Sequence, residues 1–336
     1  MMKAFTNVKK RKITLVIMAL LLLMGAILGF GGCAKQEAVQ IRVGSLKGPT
    51  SMGLLYMMED MEAEKTKNNY DFKMVTAADE LLPLMVKGEL DIALVPANVA
   101  SILYNKTQGG VCVIDINTLG VLYMVSGDTS IMNMTDLKGK TIYLTGKGTT
   151  PDYVLQYLLS QNGMSTSDCT LEYKSEATEV AALLAERPDA IGLLPQPFVT
   201  AACAQNEALS IVLDMNEQWE LVQGDGGSRM VTGVTVVRRE FLKENPKAIE
   251  QFLEEHAKST EAINANPQEG AGLVVEAGII GKEPIAVKAL PYCNIVSITG
   301  EDMKQALSGY LQVLYEQSPE AVGGSLPQED FYYLNK

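Results

Sequence analysis

TIYLTGKGTTPDYVLQYLLSQNG, residues 141–163, states the fold in miniature. A run of β-branched and aliphatic side chains over 141–145 stops at Gly146-Lys147-Gly148, after which Thr150 offers an N-cap and Pro151 a first helical residue. Val154, Leu155, Leu158 and Leu159 recur at helical spacing, and Asn162-Gly163 lies where a C-cap belongs. Strand, tight loop and amphipathic helix together form the repeating unit of α/β sheets.

The same unit is written again one hundred residues upstream. Ser45-Leu46-Lys47-Gly48-Pro49-Thr50 echoes Thr145-Gly146-Lys147-Gly148-Thr149-Thr150, and Asp91-Ile92-Ala93-Leu94-Val95-Pro96 echoes Ala190-Ile191-Gly192-Leu193-Leu194-Pro195. Strands are expected at 41–45, 72–76, 91–95, 111–114 and 121–125, and in a second series at 141–145, 170–173, 190–194, 211–214 and 231–237. After Val237 the pattern is almost wholly helical. Alternation of short strands with helical stretches predicts βαβ units on parallel sheets, and the echo predicts two lobes of similar topology. Asp79 is expected to cap the helix that runs to Lys87, with Gly88 closing it.

Chemistry in such sheets gathers outside the carboxyl ends of the strands, where the Lys-Gly-x-Thr loops fall. Thr150, and Thr50 or Ser51 in the first loop, can cap helices whose first-turn N–H groups and positive dipole end favour an anion or a polar group. Lys47 and Lys147 beside those termini either face a bound anion or point into water. Asn98 and Gln196 open the helices after the second echo, where their amides can bind a ligand or cap their own helix. GKGTT lacks the spacing of a nucleotide P-loop.

The 336 residues, 47% hydrophobic and 20% charged, suffice for two domains with a sizeable core. Five bases and no acid fall in residues 1–32, leaving 23 bases against 40 acids, net −17, over 33–336. So acidic a body argues against a nucleic-acid partner. One histidine, His256 on an apolar helical stripe, supports no catalytic triad, and the paired carboxylates read as solvated helix faces, so no enzyme activity is expected. Cys112, Cys169, Cys203 and Cys293 are dispersed, without zinc-ligand spacing; they permit two disulfides or remain buried thiols, and no metal or other cofactor is expected.

Residues 9–12, Lys-Lys-Arg-Lys, precede the apolar run ITLVIMALLLLMGAILGF at 13–30, a charged n-region and a long h-region. Gly31-Gly32-Cys33 resembles a bacterial lipobox, with Phe30 where an aliphatic is usual. A signal peptide over 1–32 and a lipid on Cys33, followed by a linker over 33–40, are therefore expected; an uncleaved membrane anchor is the alternative.

Asp136-Leu137-Lys138-Gly139-Lys140 leading into GKGTTPDYVLQYLL, then Leu194-Pro195-Gln196-Pro197-Phe198, then VTGVTVVRREFLKENPKAIEQFLEEHAKSTEAINANP at 231–267, resemble the nitrate/sulfonate/taurine and thiamine-precursor (NMT1-like) binding family of ABC importers. The resemblance implies a type II periplasmic-binding fold of two α/β lobes, 41–123 plus 233–336 and 127–230, joined by a two-crossing hinge near 123–126 and 232–237. It implies ligand contacts from Ser45, Leu46, Lys47, Thr50 and Ser51, from Pro96, Ala97 and Asn98, from Tyr123, and from Gly148, Thr149, Thr150 and Gln196. Gln196 stands where the family often has Glu, which weighs against a cationic ligand. The expected function is capture of a small polar, anionic solute by an extracytoplasmic, lipid-anchored monomer that delivers it to a permease and its ATPase. Alternatives are an aminopyrimidine-binding protein or a surface sensor without transport. Pyrimidine synthases share the fold but need a cysteine cluster and an active-site histidine that this chain does not place.

Overall fold

The computed structural model describes residues 38–224 and 226–334. The leader expected over 1–32, Cys33 and the first part of the linker lie outside the described residues.

The first half of the chain runs β1 (Gln40–Leu46), α1 (Pro49–Met52), α2 (Leu55–Glu62), β2 (Asn69–Val75), α3 (Ala78–Lys87), β3 (Ile92–Pro96), α4 (Ala97–Lys106), β4 (Val111–Leu119) and β5 (Leu122–Ser126). There follow β6 (Thr141–Thr145), α5 (Thr150–Gln161), β7 (Thr170–Lys174), α6 (Ala177–Glu186), β8 (Ile191–Pro195), α7 (Phe198–Gln205), β9 (Ser210–Asp214) and α8 (Met215–Gln223). The last third is β10 (Val231–Arg238), α9 (Arg239–Glu244), α10 (Pro246–Ala265), α11 (Pro267–Glu276), α12 (Glu283–Ala289), β11 (Ile295–Ile298) and α13 (Gly300–Gln317).

The strands form two sheets, ordered β11-β4-β10-β3-β1-β2 and β7-β6-β8-β5-β9. The echo in the sequence is an echo in register. Val43 of β1 pairs with Ile92 of β3, and Ile142 of β6 pairs with Ile191 of β8, each partner ninety-nine residues on. In both sheets the repeated pair lies beside a strand running the other way, β10 against β3 and β5 against β8. The expectation of parallel sheets is thereby corrected to mixed ones. β5 and β10 are the first strands after the chain passes from one sheet to the other, and each enters its new sheet from the opposite end. Those passages are Gly120-Val121 and 224–230; residues 123–126 lie inside β5 and 232–237 inside β10.

Successive side chains of β3 serve opposite faces, the period of a strand. Ile92 and Leu94 join Ile41, Val43 and Phe252 of α10, whereas Ala93 and Val95 join Leu307 and Leu311 of α13 in a core that also takes Ile142 and Leu193 of the second sheet. Burial on both faces explains why these strands read as unbroken apolar runs. Gly233 lets α1 lie across β10, since a Cβ there would stand 2.4 Å from Thr50 Cγ2 and from Asn117 Oδ1.

At the edge of the first sheet Asp91, 1% exposed, accepts bonds from Arg42 Nε at 2.8 Å, Arg42 Nη2 at 2.6 Å and Arg238 Nη2 at 2.9 Å. Burial alone would raise its pKa, but the two guanidinium groups and the Arg42 N–H outweigh it, and the carboxyl is held below its ordinary range. His256 is fully buried in this half, its Nδ1 2.7 Å from Asp115 Oδ2. Cys112, Cys169, Cys203 and Cys293 are free thiols; burial pushes Cys112 up to about 11 and Cys293 up to about 12. Among the described residues no helix is long and apolar enough to cross a membrane.

Candidate functional site

Mixed pairing sets which chain ends meet. Because β10 runs against β3, its start lies at the carboxyl end of β3, and the β8 terminus approaches from the second sheet. A cavity of about 330 Å³ opens there. The first sheet contributes Pro96, Ala97 and Asn98 together with Met230, Val231 and Thr232; the second contributes Thr149, Thr150, Pro151 and Pro195. Val121 and Leu122 of the first passage and Tyr310 of α13 complete the wall. Its size lies at the lower end of the range for small-ligand sites, and its position obeys the rule for open α/β sheets.

Among the described residues no Lys, Arg, His, Asp or Glu lines this cavity. Its polar groups are Asn98, Thr149, Thr150, Thr232 and the Tyr310 hydroxyl. Burial raises the Tyr310 phenol. Positive potential comes instead from the first turns of α4 and α5, beginning at Ala97 and Thr150. Tyr310 packs on Trp219 at 5.4 Å between centroids, and Trp219 on Tyr157 of α5 at 4.7 Å, so three aromatic rings back the wall.

Larger hollows lie elsewhere. One of about 680 Å³ lies between α8 and α13, by Glu220, Leu221 and Asp302, one of about 470 Å³ sits by α7, with Cys203, Lys288 and Tyr292, and one of about 440 Å³ sits beside α2 and β2, with Met58, Tyr70 and Phe72. None of the three is walled by the strand-end loops that open α4 and α5, so the smaller cavity is the candidate site.

The structure brings Pro96, Ala97, Asn98, Thr149 and Thr150 to this cavity and places the other expected contacts apart from its wall. Ser45 is buried in β1, and Lys47 is exposed with its ammonium beside Gly278, past the end of α11. Thr50 and Ser51 do not cap α1, whose N-cap is Gly48; both hydroxyls turn back to the carbonyl of Leu46, so that residue serves as their acceptor. Asn98 also donates its amide to Ala321 O at 3.3 Å. Tyr123 is a tie between the sheets, donating its hydroxyl to Tyr292 O at 2.8 Å. Gln196 is 3% exposed, with Oε1 accepting the Thr200 hydroxyl at 2.9 Å and Nε2 without a partner among the described residues.

The second loop differs from expectation in its cap. Thr149 is the N-cap of α5 and its hydroxyl donates to Gly146 O at 2.6 Å, while Gly148, at φ +71°, aims its N–H at Asp152 Oδ2, 2.8 Å away. Asp79 likewise lies one position inside α3, whose N-cap is Ala77. Lys147 lies over the Tyr173 ring, 5.4 Å from its centroid.

Sequence reasoning missed Val121, Leu122, Pro151 and Pro195, each beside an expected strand or loop, and also Met230, Val231, Thr232 and Tyr310. A parallel sheet would have put the start of β10 at the far edge. Tyr310 belongs to a stripe with Met303, Leu307, Leu311 and Leu314 that reads as ordinary core.

This is the architecture of type II periplasmic-binding proteins, and solved structures bear out that class. An ABC transporter structure from Parabacteroides distasonis is 24% identical, covering 89% of this chain and 100% of that one, with a TM-score of 0.73. The periplasmic aliphatic sulphonate binding protein of Escherichia coli is 14% identical, covering 88% and 92%, with a TM-score of 0.69. Residues 111–270 match the family model described as NMT1/THI5 like. A Brucella abortus protein named as a binding protein is 22% identical over 240 residues, 71% of this chain and 70% of that one.

Proposed function

We propose that the chain is the solute-binding subunit of an ABC importer, capturing a small anionic solute between its two sheets and delivering it to a permease. The observation that carries this reading is the strand-end cavity, on which the first turns of α4 and α5 converge in a wall of apolar and neutral polar side chains, with no charged one among the described residues. Two helix termini hold an anion without a counter-ion, and Val121, Leu122, Pro195 and Met230 suit an aliphatic body. An alkanesulfonate combines the two, and the aliphatic sulphonate specificity named for the Escherichia coli neighbour agrees with it.

The lobes in this reading are 41–123 with 233–336, and 127–230, and capture is a population shift toward a closed state that the solute contacts favour. Export by the leader and a lipid on Cys33 would keep the monomer at the outer face of the membrane. The protein acts by binding, with no reaction of its own. Thermal unfolding of the purified protein against alkanesulfonates, taurine, nitrate, small carboxylates and aminopyrimidines tests the reading. A solute at one hundred times its dissociation constant adds about 2.7 kcal/mol to stability, which raises the melting temperature. The expected result is a shift with alkanesulfonates; a shift with aminopyrimidines alone would contradict the anionic ligand.

A further inference from the structure

We propose that Asp152 is a charge filter for this cavity, a specificity-determining residue that lets singly charged anions bind and turns dianions away. The inference rests on the solute-binding reading above and adds to it which anions qualify.

Asp152 follows the lining residues Thr150 and Pro151 directly and is 3% exposed. Its carboxylate accepts the Gly148 N–H at 2.8 Å, the Gln156 Nε2 at 2.7 Å and the Tyr173 hydroxyl at 2.8 Å. All three partners donate to it. All three are also neutral, so its negative charge is held by dipoles rather than cancelled by a paired cation. The chain has thus placed its own anion in the first turn of α5, the helix whose Thr150 and Pro151 line the cavity.

The electrostatics of the cavity follow. An entering anion meets two helix termini, each equivalent to about half a positive charge, and no cationic side chain in the wall. Asp152, in the first turn of α5, subtracts from that field, so that one negative charge is the most it can hold. A second has no partner, and its burial costs both desolvation and a repulsion from Asp152 that doubles with the charge. One hundred residues earlier, at the matching place after the first loop, stands the buried apolar Met52. The filter is built on one side only, and discrimination by a deliberately placed like charge is a general route to specificity.

The test compares butanesulfonate, a monoanion throughout, with butyl phosphate, whose second ionisation near pH 6 makes it a monoanion at about pH 5 and a dianion at about pH 8. Affinities are read from the fluorescence of Trp219, stacked behind the cavity wall on Tyr310. The wild-type protein is expected to lose about tenfold or more in butyl phosphate affinity on going to the higher pH while butanesulfonate affinity stays level. Asp152→Asn removes the charge while keeping one oxygen, for Gly148 or for the Gln156 and Tyr173 pair, and should reduce that loss to about threefold or less. Gln156→Ala and Tyr173→Phe leave the charge in place and should retain the full discrimination, whatever they do to stability.

Equal binding of both forms by the wild type, or undiminished discrimination in Asp152→Asn, would overturn the filter while leaving solute binding intact. Erasure of discrimination by Gln156→Ala or Tyr173→Phe would show that loop shape, not charge, is responsible. Wild-type protein that binds neither anion would overturn the solute reading and the filter together.

Discussion

The two Lys-Gly-x-Thr loops began as near copies and have been put to different uses. In the first, Thr50 and Ser51 fold their hydroxyls back onto Leu46, the helix that follows has only four residues, and Met52 seals it into an apolar core. In the second, a twelve-residue helix carries Thr150 and Pro151 to the cavity, with Asp152 tying the loop to Gln156 and Tyr173. The sheets diverge in the opposite sense. Asp91 clamps β1 to the end of β10 through two arginines, and its counterpart ninety-nine residues on is Ala190. One half is stapled for stability, and the other supplies the loop at the ligand.

The largest effect should come from removing the staple. Asp91→Ala is expected to cost about 3 kcal/mol, because two arginines lose a buried partner, whereas Ala190→Ser in the second sheet should cost far less. Denaturant unfolding at neutral pH measures both. The folded Asp91 carboxyl titrates below its ordinary value, so its contribution is complete above about pH 4 and is lost as pH falls further. The gap between wild type and Asp91→Ala should therefore narrow at about pH 3. A gap that stays constant would mean that the arginines do not act through the charge.

Next in size, Asp152→Ala should destabilise by about 2 kcal/mol, since three donors lose one acceptor. The same denaturant titration reads it. Loss of under about 0.5 kcal/mol would mean that the second loop is held by something else.

Thr150→Val removes a hydroxyl from the cavity wall, and calorimetry should find solute affinity about tenfold weaker. Thr50→Val should change affinity less than about twofold, because that hydroxyl is spent on Leu46. Equal weakening by the two would restore the symmetry that the structure denies. The smallest effect is expected for Lys147→Ala, about twofold or less and fading with added salt, since its ammonium lies over Tyr173 and not in the wall.

These contrasts mark what could be read from the chain alone. The ten strands of the two series were legible because buried strands are continuous apolar runs ended by Gly or Pro, and the offset of ninety-nine residues survives as sheet register. β11 was not, being four residues, Ile295–Ile298, among helices. Pairing direction escaped too, because periodicity reports a strand and its buried face but not the end from which the chain enters a sheet. That one omission hid Met230, Val231 and Thr232, and with them half of the first sheet's share of the cavity. The lysines misled for a related reason: a charge beside a helix terminus is visible in sequence, but the ring or solvent that it turns toward is not.

The central claim is that solute binds at the strand ends between the sheets and not in the larger outer hollow by α8 and α13. Thr232 is half-buried on the cavity wall at the start of β10, so Thr232→Trp should fill the space without disturbing a packed core. Calorimetry of that variant with the solute identified by thermal unfolding is the most direct measurement. The account predicts a loss of about a hundredfold or more in affinity, equivalent to about 2.7 kcal/mol, with the melting temperature of the free protein unchanged. Affinity within about threefold of wild type would contradict it, and would place the solute elsewhere on the molecule.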